Sequence, residues 1–172
     1  MTPRPGMLAV VALTLLASCR ADPHKTEAAR TVSDAARGVG YVVPAGWKSM
    51  DGEIRSPAGT MMTLRVYDLV EADHRFVAAL PESLVPQLLE WAKYYYIVDG
   101  PPVRSKTTVA GLPADELDYP VRVRAQDPPT KVIYWVVRRQ TRLFVIRVAF
   151  PPAALASEEP IMRNVVSGWT FL

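Results

Sequence analysis

The sequence predicts an α+β domain in which helices cover an antiparallel β-sheet. Three observations carry this. Residues 60–69 (TMMTLRVYDL) alternate, with Met62, Leu64 and Val66 on one face and Thr63, Arg65 and Tyr67 on the other, the period of a half-buried strand. Residues 131–139 (KVIYWVVRR) and 143–150 (LFVIRVAF) are nearly continuously apolar and are separated by Gln140-Thr141-Arg142 alone. That pattern predicts an antiparallel hairpin of central strands covered on both faces. Two segments, 81–95 and 157–168, switch to a helical period.

The elements follow from the N-terminus. Arg4 precedes an apolar run over 7–17 (MLAVVALTLLA), the build of a secretory signal. The run is too short to cross a bilayer, which takes roughly 20 apolar residues. It closes on Leu16-Ala17-Ser18-Cys19, which resembles the lipobox of bacterial lipoprotein signal peptides. On that reading residues 1–18 are removed and Cys19, the single cysteine, carries lipid. Two acyl chains, at ~0.8 kcal/mol per buried methylene, anchor a protein stably. The expected location is therefore the cell envelope, lipid-anchored. In a Gram-negative cell the periplasmic face of the outer membrane is favoured, because Arg20 stands where an inner-membrane retention aspartate would. With one cysteine there is no internal disulfide, so the fold rests on packing.

Residues 20–37 (RADPHKTEAARTVSDAAR) are polar, small and charged, and read as a flexible tether spanning ~25 Å; a short helix is the alternative. The folded domain is expected over 38–172. Gly38 to Val43 is an opening strand, Pro44-Ala45-Gly46-Trp47 a turn into a buried tryptophan, and Ile54 part of a short strand before the Ser56-Pro57-Ala58-Gly59 turn. In the first helix Leu84, Leu88, Trp91 or Ala92, and Tyr95 form the apolar stripe, with Ser83 as N-cap and Pro86 in the first turn. Asp99-Gly100-Pro101-Pro102 stops it. Extended chain follows over 103–109, then a turn at Ala110-Gly111-Leu112-Pro113. Residues 117–124 alternate, with Leu117, Tyr119, Val121 and Val123 opposite Asp118, Arg122 and Arg124. Pro120 cannot donate to a ladder, which predicts an edge strand or a bulge. After the hairpin, Ser157 is the expected N-cap of a second helix, with Glu158 and Glu159 at its positive end and Pro160 in its first turn. Its apolar side is Ile161, Met162, Val165, Val166 and Trp169; Gly168 ends it before a short last strand.

This order resembles the PsbP-like superfamily (PsbP/Mog/DcrB type). The resemblance rests on Pro44-Ala45-Gly46-Trp47, Ser56-Pro57-Ala58-Gly59, Val109-Ala110-Gly111-Leu112-Pro113-Ala114, a hydrophobic hairpin ending in Phe150-Pro151, and the close Ser167-Gly168-Trp169-Thr170-Phe171. Gly168 and Trp169 depart from the usual ending, and the hairpin lacks the common Asp or Gly. The resemblance implies an α/β/α sandwich, a central antiparallel sheet flanked by helices, over 38–172. It also implies a bacterial lipoprotein whose relatives act as binding or assembly factors, with no shared chemistry.

Candidate chemistry is sparse. His24 and His74 are isolated, so no zinc site is expected. Asp115, Glu116 and Asp118 read as a solvated strand end rather than a calcium site. No serine sits in a nucleophile elbow, and no glycine-rich phosphate loop occurs. No cofactor is expected, and a net charge of +3 is no nucleic-acid footprint. Two groups are candidate partner-binding residues. Arg122, Arg124, Arg138 and Arg139, with Arg142, are expected near one end of the hairpin, where guanidinium groups suit anionic lipid, lipopolysaccharide or an acidic protein; edge protection is the competing explanation. Tyr94 and Tyr96 are the second group, beside Trp91 and Tyr95, which core packing would explain. The expected function is a lipid-anchored, non-catalytic binding or assembly accessory factor at the envelope. The alternative is a carrier of a small hydrophobic ligand or lipid in a cavity between sheet and helix.

Overall fold

The computed structural model describes residues 27–69 and 82–172. The signal, Cys19, the start of the expected tether, His24 and His74 lie outside the described residues. The chain opens with β1 (Arg30–Asp34) and β2 (Val39–Val43), then short strands β3 (Lys48–Met50) and β4 (Glu53–Arg55) and the long β5 (Met61–Asp68). A 3-10 turn over Glu82–Leu84 leads into α1 (Val85–Tyr95), β6 (Ile97–Val98), β7 (Val103–Val109) and β8 (Leu112–Arg122). The central hairpin is β9 (Thr130–Arg139) and β10 (Arg142–Ala149); α2 (Leu155–Ser167) and β11 (Thr170–Phe171) close the chain.

The strands form two antiparallel sheets. The larger has the order β3-β4-β5-β10-β9-β8-β6, with β7 also pairing β8; the smaller is β1-β2-β11. The α/β/α sandwich is thereby corrected: strand, at 48%, outweighs helix, at 20%, in two antiparallel sheets with two helices among the described residues. On one face of the large sheet the cover is α2 together with the small sheet, through Tyr41, Met162, Val166 and Trp169. The other face is covered by α1, through Leu84, Leu88 and Ala92. One reason for the shortfall is local. Residues 30–34, inside the span read as tether, pair with β2 from Arg30↔Val43 to Asp34↔Val39. Extended backbone finds its ladder partner at a distance, which their polar composition does not signal.

The central hairpin is as expected. Ile133, Trp135, Val137, Phe144, Ile146 and Val148 serve the core beneath α2. Val132, Tyr134, Val136, Leu143 and Val145 serve the core beneath α1. Alternate residues point to opposite faces, so a run apolar at every position needs a covered sheet on both sides. Trp47 is buried as expected, and Met62 and Leu64 are buried together on one face of β5. Asp51-Gly52 and Ala110-Gly111 have positive φ at both positions, the type I′ pattern that matches strand twist in tight hairpins.

Pro120 is neither at an outer edge nor in a bulge. It pairs in register with Lys131 of β9, and its carbonyl accepts from the Asp99 amide at 2.9 Å. In a strand the N and O of one residue point to the same side, so its missing N–H falls on the side away from β9. There β7 has ended at Asp118 and β6 begins at Val121. The helix starts also shift. α1 has Leu84 as N-cap with no side-chain cap bond, and Ser83 lies in the preceding 3-10 turn. α2 starts at Leu155, which puts Pro160 inside the helix and leaves Ser157 donating to the Ala154 carbonyl at 3.2 Å.

Candidate functional site

The two expected partner-binding groups meet different fates. The arginines do not gather. Val121 pairs with Thr130 at one end of β9, whereas Arg138 lies eight residues on, roughly 26 Å away at the rise of a strand, with Arg139 next to it. Antiparallel pairing reverses β8 relative to β9, so sequence neighbours of the turn at 125–129 are remote from the turn at 140–141. Arg122 is bound locally, donating to Asp99 at 2.8 Å and to the Ala125 carbonyl at 3.3 Å; Arg124 is exposed beyond it. At the other end Arg138 donates to the Gln140 carbonyl. Arg139 donates to the Leu172 carbonyl at 2.8 Å and lies over the Phe171 ring, fastening the C-terminal strand. Arg142 lies over Phe144 and beside Asp68.

The aromatic group does converge. Leu88 and Ala92 seat α1 on the sheet, and both are fully buried. By helical period Tyr95 should follow them, but it is 59% exposed and Tyr94 is 80% exposed, so core packing does not explain Tyr95. The sheet beneath supplies the reason. On this face β10 presents Leu143 and Val145 and then Arg147, so the apolar floor ends where Tyr95 would land. The Arg147 guanidinium instead lies 5.4 Å from the Tyr95 ring and 5.7 Å from the half-buried Tyr96 ring. It donates to the Tyr96 hydroxyl at 3.3 Å. Trp91 stacks on Tyr67 at 6.2 Å, and Arg65 of β5 lies 4.7 Å over the Trp91 ring.

These side chains border a cleft of about 690 Å³ between the C-terminal end of α1 and strands β5 and β10. The Asp51-Gly52 turn forms part of its rim, and Tyr134 and Val145 belong to its lining. Its volume is in the small-molecule range. Tyr134 stands directly opposite Arg147 in the ladder and is fully buried. Burial pushes its phenol up to about 12, against the smaller opposing pull of Arg147, so it stays protonated. No hydrogen bond of acceptable geometry joins the Tyr134 hydroxyl to any described residue. Arg147, Arg65 and Tyr134 were not singled out by the sequence. A signal did exist: Arg147 is the one charge inside LFVIRVAF, and Arg65 shares the Tyr67 face of β5.

The acidic group of β8 is not a solvated strand end. Asp115 is fully buried, and Glu116 is 7% exposed. Strand β8 is flanked by β9 and β7, which makes these positions interior, and the cations that match them come from remote segments. Asp115 accepts from Arg104 at 3.1 Å and Lys106 at 2.6 Å, both on β7. Glu116 accepts from the Trp135 indole N–H at 2.7 Å and pairs with Arg163 of α2 at 2.8 Å. Lys131 and Arg163 each pair with Asp118 and Glu159. Burial and the neighbouring Glu116 push the Asp118 carboxyl up, against Lys131 and Arg163. Burial also pushes Glu159 up, but hydrogen bonds from Lys131 and Arg163 together outweigh it and hold its carboxyl low. This network fastens α2 to the sheet. Among the described residues no group of three or more His, Cys, Asp or Glu is placed to hold a metal ion. Nor is any described helix long and apolar enough to cross a membrane.

No protein-family model and no curated protein matches the sequence. Solved structures do match. The solution structure of the cyanobacterial PsbP protein of Synechocystis sp. PCC 6803 aligns with a TM-score of 0.60 at 13% identity, over 91% of this chain and 99% of that one. A Pseudomonas aeruginosa protein of unknown function aligns with a TM-score of 0.47 at 16% identity, over 81% of this chain and 94% of that one. The fold is PsbP-like.

Proposed function

We propose that this PsbP-like chain is a non-catalytic accessory protein of the cell envelope, anchored by lipid on Cys19 and binding a protein partner through the exposed end of α1. The observation that carries the binding surface is the pair Tyr94 and Tyr95, 80% and 59% exposed beside a concave cleft. Tyrosine gives large contact area at low entropic cost, and it is enriched where one protein meets another. The PsbP-like fold is compatible with the accessory reading, since a fold by itself imposes no chemistry. The anchor is supported by the lipobox-like Leu16-Ala17-Ser18-Cys19.

A photo-crosslinking residue in place of Tyr94 tests the surface, in the full chain and in intact membranes. A discrete protein adduct is expected from position 94 and not from Ile161, which is exposed on α2 beneath the opposite face. Equal adducts from both positions, or none from 94, defeat the reading. Fatty-acid labelling tests the anchor separately: a Cys19→Ser chain that still takes up label would sink it. The carrier alternative called for an apolar cavity between sheet and helix. The cleft lies in that place, but two guanidinium groups stand in its walls beside four tyrosines, so it is not wholly apolar.

A further inference from the structure

Arg147 sets the chemistry of the cleft. The other half-buried arginines with nearby acids are matched: Arg163 pairs with Glu116 and Glu159, and Arg37 pairs with Asp34 at 2.7 Å. Among the described residues Arg147 has no carboxylate partner. Its contacts are the Tyr96 hydroxyl and the faces of Tyr95 and Tyr96, and its buried Nε finds no acceptor. A guanidinium held half out of water without a counter-ion is costly, and tyrosine rings compensate it only in part.

Two further features point the same way. Directly across the ladder, Tyr134 is fully buried, and the group its phenol interacts with is Arg147 itself and not an acid. The half-exposed part of the Arg147 guanidinium faces the cleft with its charge unmatched by any described carboxylate, which suits an oxygen anion. The acids at the rim do not supply it: Glu53 is taken by Arg55 at 2.7 Å and Glu90 by Lys93 at 2.9 Å, and neither these nor Asp51 forms an ion pair with Arg147. The second cation, Arg65, is likewise without a carboxylate among the described residues and lies flat over Trp91. The cleft is thus lined by aromatic rings and two guanidinium groups, a surface for a flat apolar body that bears one negative charge.

The geometry points to the cleft as a binding site for a small aromatic monoanion, its carboxylate on Arg147 and its ring between Trp91 and the tyrosines Tyr95 and Tyr96. This rests on the reading of the α1 end as a binding surface, and it specifies what the concave part of that surface takes.

The test is titration calorimetry of the full chain in dodecyl maltoside, with 1-naphthoate and its uncharged counterpart 1-naphthamide, blanked against detergent alone. Naphthoate is expected to bind at least tenfold more tightly than naphthamide, the scale of one charge-assisted hydrogen bond. Arg147→Met should abolish the difference. Because that variant alters a half-buried position, Arg65→Gln, on the exposed strand surface, serves beside it and should weaken naphthoate about threefold, as an exposed charge does. Equal affinity for the two probes overturns the proposal in favour of an apolar pocket. Displacement of naphthoate by phosphatidylglycerol in the micelles, where phosphatidylcholine has no effect, overturns it in favour of a lipid headgroup. Absence of naphthoate binding while position 94 still crosslinks defeats this proposal and leaves the accessory reading intact.

Discussion

Glu116 offers the sharpest test of how the helix α2 is held. Its carboxylate accepts from the Trp135 indole at 2.7 Å and pairs with Arg163 at 2.8 Å. The two partners are not equivalent. The Arg163 side chain is 38% exposed and can turn to water, so losing Glu116 does not strand it. Trp135 is 3% exposed and cannot. Glu116→Ala therefore leaves a buried N–H without an acceptor, about 1–3 kcal/mol, and removes one buried methylene with the carboxylate, for a total of about 2–4 kcal/mol. Glu116→Gln keeps an acceptor for the indole and removes only the half-solvated ion pair, so about 1 kcal/mol is expected. Urea unfolding at neutral pH, followed by far-UV circular dichroism, measures both. In thermal melts each kcal/mol corresponds to roughly 2–4 °C for a chain of this size. If Gln costs as much as Ala, the charge on Arg163 and not the indole bond is what matters, and the reasoning fails.

The same network predicts opposed pH effects. Asp118 is raised, chiefly by burial, so its ionised form is disfavoured in the fold. Its contribution is most favourable below the unfolded carboxylate pKa and is lost as pH rises through the raised folded value. Asp118→Asn should then gain on wild type at neutral pH and lose that advantage on acidification. Glu159 is held low, so its contribution is present above the unfolded pKa and is lost as pH falls through the lowered value. Glu159→Gln should be less stable than wild type at neutral pH, and the gap should close in acid; denaturation midpoints from pH 3 to 7 check both signs. Tyr134→Phe removes a buried hydroxyl that has no partner, so stability should stay within about 1 kcal/mol of wild type or rise, by the same unfolding assay. Leu88→Ala empties the fully buried anchor of α1 and should cost about 2–5 kcal/mol, checked by the midpoint of urea denaturation.

Legibility in the sequence tracked the range of the interaction. The hairpin β9–β10, the two faces of β5 and the buried Trp47 were readable, because alternation and apolar runs are properties of a few adjacent residues. The exposure of Tyr94 was readable once its helix was placed. The partners of Asp115, Glu116 and Asp118 were not, because Arg104, Lys106 and Arg163 reach them from other elements. Strand β1 escaped for the same reason: its burial pattern is half-exposed throughout, and only β2 makes it a strand.

The arginines show the boundary most plainly. Their number and their guanidinium chemistry are written in the chain. Which arginines are free to act is not. Antiparallel pairing sent Arg122 and Arg138 to opposite ends of a sheet, and it set Arg147 against Tyr134 beneath the end of α1. Periodicity determines which face a side chain takes; the register between distant strands decides what that face meets. A charge is matched or left unmatched only by the neighbours that register brings.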